Sequence, residues 1–121
     1  MASLLVIAGP NVGDYYPVGQ RTLVIGRQES CAIQLTDDRV SRKHAQIRLD
    51  GPRRLLLDMN STGGVRLNGQ PIEAESELRD GDEVQIGAST LLYSEQSFPD
   101  RQSAFDHYKQ RGQRARVTQE P

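Results

Sequence analysis

No tryptophan, two phenylalanines and one cysteine in 121 residues leave this chain without an aromatic-rich core or a disulfide framework. Cys31 stands alone, so an intramolecular disulfide is excluded. That usage points to a reducing compartment, with Cys31 as a small core filler. Long apolar stretches are missing as well. The first run, residues 4–8, is five residues long, too short for a membrane span, and no basic stretch precedes it as in a secretory leader. A soluble, cytoplasmic protein that does not enter membranes is expected. The two histidines, His44 and His107, lie far from each other and from Cys31, so no metal site is expected.

A basic excess is absent where nucleic acid would require one. Residues 1–99 carry 10 Lys and Arg against 13 Asp and Glu, whereas residues 100–121 carry 5 against 3. The body is mildly acidic, which argues against a nucleic-acid partner, and the basic stretch "KQRGQRAR" reads as a solvated tail.

Helix-length periodicity is also missing up to residue 94. What is present is a series of short runs separated by turn signals. "SLLVIAG" closes on "GPNVGD", and "RTLVIGR" ends at Gly26. In "HAQIRLD", Ala45, Ile47 and Leu49 alternate with polar residues, the period of a half-buried strand. "LLLDM" returns after "GPRR", "VRLNGQPI" carries the hairpin signal Asn68-Gly69, and "LRDGDEVQIGASTLLY" completes the series. An all-β sandwich or barrel over residues 1–96 is the expectation. From Phe98 the composition changes. Pro99 and Asp100 early, with Lys109, Arg111 and Gly112 late, predict a short helix within a C-terminal segment, residues 97–121, that ends as a flexible basic tail. Phe105 and Tyr108, three apart, are positioned to dock it on the sandwich.

Three separated pieces join a turn to anion-binding groups: Gly26-Arg27, the run Ser41-Arg42-Lys43-His44, and Asn60-Ser61-Thr62-Gly63-Gly64. Loops cluster at the ends of a sandwich, so pieces distant in sequence converge there. A guanidinium fork, hydroxyls and loop N–H groups together suit a phosphate, and Lys43 adds a point charge. Each piece is weak alone; their order and spacing carry the signal. The glycine-rich piece is not a nucleotide P-loop, because no Gly-Lys-Ser/Thr follows and it leads into a strand. His44 is not a base for Ser41, since no third orienting group accompanies the pair. With no nucleophile-base set, carboxylate pair or cofactor loop, a non-enzymatic protein without cofactors is expected.

These motifs resemble the forkhead-associated (FHA) domain family, whose pattern runs Gly-Arg, Ser-x-x-His, Ser-x-Asn-Gly and Asn-Gly. The corresponding residues here are Gly26-Arg27, Ser41 to His44, Ser61 to Gly64, and Asn68-Gly69, and the resemblance covers most of the folded part. It implies a sandwich of about eleven strands that binds phosphothreonine peptides on its end-loops. By position it implies phosphate contacts from Arg27 and Ser41, with Arg42 and Thr62 beside them. It assigns architectural roles to Gly26, His44, Asn68 and Gly69. The implied function is a signalling adaptor whose partner is a phosphothreonine protein, a Ser/Thr kinase or its substrate.

The chain departs from the family pattern at Gly63, where an asparagine amide normally bonds the peptide backbone, and at Val65, where threonine is usual. The Gly63 departure supports an alternative, an FHA-like assembly or regulatory module that binds partners independently of phosphate. A third reading is self-recognition, with a phosphorylated Thr118 in the chain's own tail folding back onto Arg27.

Overall fold

The computed structural model describes residues 2–119, with side chains through residue 110. Its elements run β1 Ala2–Ala8, β2 Tyr15–Val18, β3 Leu23–Gly26, β4 Ile33–Gln34, β5 Ala45–Asp50, β6 Arg53–Asp58, β7 Arg66–Leu67, β8 Gln70–Pro71, β9 Glu75–Glu77, β10 Glu83–Ile86, β11 Ser89–Ser94 and α1 Arg101–Gln119. The strands form a six-stranded sheet, β2-β1-β11-β10-β7-β8, and a five-stranded sheet, β4-β3-β5-β6-β9. Every pairing is antiparallel except β3 with β4. This is the expected all-β sandwich.

Period-two alternation builds the core. Ala2, Leu4 and Val6 of β1 face inward, as do Ala45 and Ile47 of β5, with Ile47 paired to Leu56 of β6. Val84, Ile86, Leu91 and Tyr93 complete the layer between the sheets. The strands that the hydrophobic pattern does not announce are β2, β4 and β9. All three are sheet edges, where packing on one side only asks little of the sequence. β2 holds Pro17 and β9 reads Glu-Ser-Glu, a proline and charges of the kind that blunt an exposed edge.

The hairpin signal behaves as read. Asn68 and Gly69 take φ of 52° and 84°, the left-handed pair of a two-residue turn between β7 and β8. Asn68 also tethers β10: its Oδ1 accepts from the Glu83 N–H at 2.9 Å, and its Nδ2 donates to Asp82 at 3.0 Å.

At the C-terminus, Asp100 caps α1 by accepting the Ser103 N–H at 2.8 Å, a bond that also holds its carboxyl below the ordinary aspartate range. β1 has strands on both edges and the core on one face, so α1, which contacts it, lies on the outer face. Leu5 and Leu92, cross-strand partners on that face, are buried, as is Ala104 of the helix. Phe105 and Tyr108, the pair expected to dock the helix, are half-buried. Phe105 and Tyr108 pair edge-on with each other, while Phe98 packs against Tyr15 and His107. The Tyr15 hydroxyl accepts the Phe98 N–H at 2.7 Å, which ties the helix entry to β2. The helix backbone extends to Gln119, longer than the short helix expected. The side chain of Thr118, like the others of the expected flexible tail, lies outside the described side chains. No helix among the described residues is long and apolar enough to cross a membrane.

Candidate functional site

The end of β3 begins the site. A Cβ on Gly26 would collide with the Arg42 carbonyl, so only glycine lets the segment after β3 lie directly on the loop before β5. Two backbone bonds close that contact: Arg27 N–H to the Ser41 carbonyl at 3.0 Å and Gln28 N–H to the Arg42 carbonyl at 3.2 Å. The Cys31 thiol donates to the same Arg42 carbonyl at 3.3 Å. Cys31 is buried, but as a brace between loops and outside the main core cluster. Arg27 Nε donates to the Val40 carbonyl at 3.1 Å. That bond fixes the side chain by its stem, and the terminal Nη groups have no partner among the described residues.

Ser41 is held from both sides. Its N–H donates to His44 Nδ1 at 3.0 Å, and its hydroxyl oxygen accepts the Thr62 N–H at 3.2 Å. The hydroxyl hydrogen is left to donate outward. Because His44 Nδ1 accepts, Nε2 carries the ring hydrogen and donates to the Gly64 carbonyl at 2.7 Å. The fully buried imidazole therefore joins the loop before β5 to the loop before β7. That second loop is also organised internally: Asp58 accepts the Ser61 N–H, and the Ser61 hydroxyl accepts the Gly64 N–H, each at 3.0 Å.

A further staple comes from Asp37. Its carboxylate accepts the Arg39 N–H at 3.0 Å on one oxygen and the Ala88 N–H on the other. The loop carrying Arg39, Val40 and Ser41 is thereby tied to the β10-β11 turn. These two bonds, that from Arg39 first, hold the Asp37 carboxyl below the ordinary aspartate range.

Between these walls lies an open cleft of about 850 Å³ lined by Arg27, Asp38, Arg39, Val40, Ser41, Thr62, Gly63, Gly64, Arg66, Gln85, Gly87, Ala88 and Thr90. Three guanidinium residues face one carboxylate there, and both ion pairs among the described residues, Arg48–Glu75 and Arg53–Asp50, lie elsewhere. The cleft is cationic inside a mildly acidic body.

Of the residues expected to bind, the structure brings Arg27, Ser41, Thr62 and Gly63 together on this cleft. Arg42 is exposed and does not line it; the Arg42 backbone carbonyl, not the side chain, serves the site. Lys43 is likewise exposed and outside the lining. Sequence reasoning missed Arg39 and Arg66, which line the cleft, and Asp37, which staples it. Arg39 lies two residues before Ser41, and Arg66 stands at the entry to β7; neither position carries a motif of its own. Gly63 has an ordinary φ, and a Cβ built on it would meet only the Arg39 carbonyl, at 3.7 Å.

The model of the FHA domain family matches residues 23–87, which include the site loops that carry Arg27, Ser41 and Thr62. The chain belongs to the FHA family. This FHA domain is 39% identical over 92 residues to the glycogen accumulation regulator GarA of Mycolicibacterium smegmatis, covering 76% of the chain and 58% of that protein. The chain thus spans little more than half the length of that relative. Among solved structures, it superposes on an FHA domain from a study of phosphothreonine-dependent FHA interactions with a TM-score of 0.71. The two are 33% identical, over 80% of this chain and 98% of the other. EmbR of Mycobacterium tuberculosis, in complex with a low-affinity phosphopeptide, superposes with a TM-score of 0.73 at 29% identity, over 80% of this chain and 25% of EmbR.

Proposed function

We propose that this FHA domain is a non-catalytic adaptor that binds a phosphothreonine segment of a partner protein in the loop-end cleft. One observation carries the reading: Arg27 is fixed through Nε to the Val40 carbonyl, which leaves its terminal N–H groups to an anion beside the Ser41 hydroxyl. A guanidinium held by its stem is pre-organised for a bidentate grip on phosphate. Arg27 and Ser41 take the phosphate, and Thr62 flanks it. Gly26, His44 and the Asn68-Gly69 turn shape the walls. The partner class is a Ser/Thr kinase or its substrate, met in the cytoplasm. The solved phosphothreonine and phosphopeptide relatives support this ligand class.

Calorimetry with a phosphothreonine peptide library tests the reading. Wild type binds a subset of the phosphorylated peptides and none of the unphosphorylated versions, and Arg27→Ala loses measurable binding. A charge-assisted bond is worth about 1.5–3 kcal/mol, and a bidentate pair more. Equal binding by wild type and Arg27→Ala would place the ligand elsewhere.

A second reading has one observation in its favour. Gly63 brings no side-chain amide to the cleft, which suits a surface that docks protein without gripping a phosphopeptide backbone. Partners retained in pull-downs after phosphatase treatment would favour that reading.

A further inference from the structure

The cleft does not stop at the phosphate loops. It continues onto the six-stranded sheet, where Arg66 of β7 pairs with Gln85 of β10, and Gln85 with Thr90 of β11. Alternation sets these residues on the face opposite the buried Val84, Ile86 and Leu91, so they form a polar row across three strands. On the loop wall, Asp38 and Arg39 are chain neighbours and contribute one charge of each sign. Arg66 has no such neighbour in the row, and no carboxylate lies within ion-pair distance of it among the described residues. The sheet wall of the cleft therefore carries an uncompensated positive charge, separate from the group that meets the phosphate.

We infer that Arg66 reads an acidic side chain that flanks the phosphothreonine, making this FHA domain selective for acidic phosphorylated segments. The inference rests on the phosphate reading above and adds a specificity residue to it. Gln85 and Thr90 offer hydrogen-bonding groups and no apolar surface of size, so the row suits a polar, extended segment. Arg66 is the group in the row that separates Glu from Ala or Lys. Gly63 sharpens the dependence, because it supplies no side chain to hold the peptide backbone in between.

The test uses phosphothreonine peptides on an alanine background, with one Glu walked through the flanking positions and titrated calorimetrically into the full chain. At one or two positions, Glu tightens binding about two- to fivefold at low salt, the range of a partly exposed ion pair. The gain disappears in Arg66→Ala and becomes a preference for Lys in Arg66→Glu. The gain is read as the Glu-to-Ala affinity ratio within each protein, so a uniform change in phosphopeptide affinity in Arg66→Ala cancels, and binding of the all-alanine reference phosphopeptide by the variant shows that it is folded. Glu no better than Ala at every position, or a gain that survives in Arg66→Ala, overturns the inference while leaving Arg27-dependent binding standing. If wild type binds no phosphothreonine peptide, the phosphate reading and this inference fall together.

Discussion

Two turns lie within ten residues of each other, and different forces shape them. At Asn68-Gly69 the conformation follows from the residues themselves, since asparagine and glycine tolerate the left-handed φ that a twisted hairpin demands. The loop at residues 60–64 also has internal bonds, but its place against the rest of the cleft depends on Ser41 and His44, some twenty residues earlier. A locally coded turn is a structural part that changes with little consequence elsewhere. A loop held from a distance is adjustable, and changing the distant residue changes the site.

His44→Ala breaks this arrangement most severely. It removes both the bond to the Ser41 N–H and the bond to the Gly64 carbonyl, leaving two part-buried backbone groups unpaired at about 1–3 kcal/mol each. Chemical denaturation should show a loss of about 2–4 kcal/mol, and phosphopeptide binding should fall with it although His44 lines no part of the cleft.

Asp37→Asn comes next. An amide presents a single acceptor oxygen, so one of the two N–H bonds from Arg39 and Ala88 is lost, at about 1–3 kcal/mol. The wild-type carboxylate adds a pH dependence of definite sign. Its folded pKa lies below the unfolded one, so its contribution is complete above the unfolded aspartate value of about 4 and is lost as pH falls through the lower folded value. Denaturation midpoints measured from pH 6 down to pH 2 should converge for wild type and Asp37→Asn at the acidic end. A constant gap would mean that Asp37 acts through shape alone.

Gly69→Ala is the local counterpart. At φ 84° a Cβ is strained, costing about 1–2 kcal/mol of stability. Phosphopeptide affinity should stay at the wild-type value under conditions where both proteins are folded, because the strain remains in the turn. An affinity loss as large as that of His44→Ala would erase the distinction between the two turns.

Gly63→Asn has the smallest expected effect and the opposite sign. Gly63 has an ordinary φ and room for a side chain, so asparagine should enter without strain and add a peptide contact. Phosphopeptide binding should tighten by about 0.5–1.5 kcal/mol in calorimetry. Unchanged affinity would separate this loop from the ligand.

Much of the fold was legible because its signals are local. The apolar runs of β1 and β6, the alternation in β5, the Asn68-Gly69 turn and the Asp100 cap each act over a few residues. The edge strands β2, β4 and β9 were not legible, because an edge asks for little hydrophobicity and tolerates proline and glutamate. Helix docking was legible only in part for a related reason. Spacing marks which residues share a helix face, but which of them meets the sheet depends on how the chain enters, here through Phe98 and Tyr15.

By itself, then, the sequence pattern determined an all-β sandwich or barrel and three phosphate-suited pieces, since hydrophobic period and turn chemistry are properties of neighbouring residues. Tertiary structure alone decided which side chains share the cleft. It placed Arg39 and Arg66 on the lining, left Arg42 outside it, and made Asp37 and His44 the ties between loops. Those assignments depend on sheet register and on the close backbone approach that Gly26 permits, which join residues that no local pattern connects.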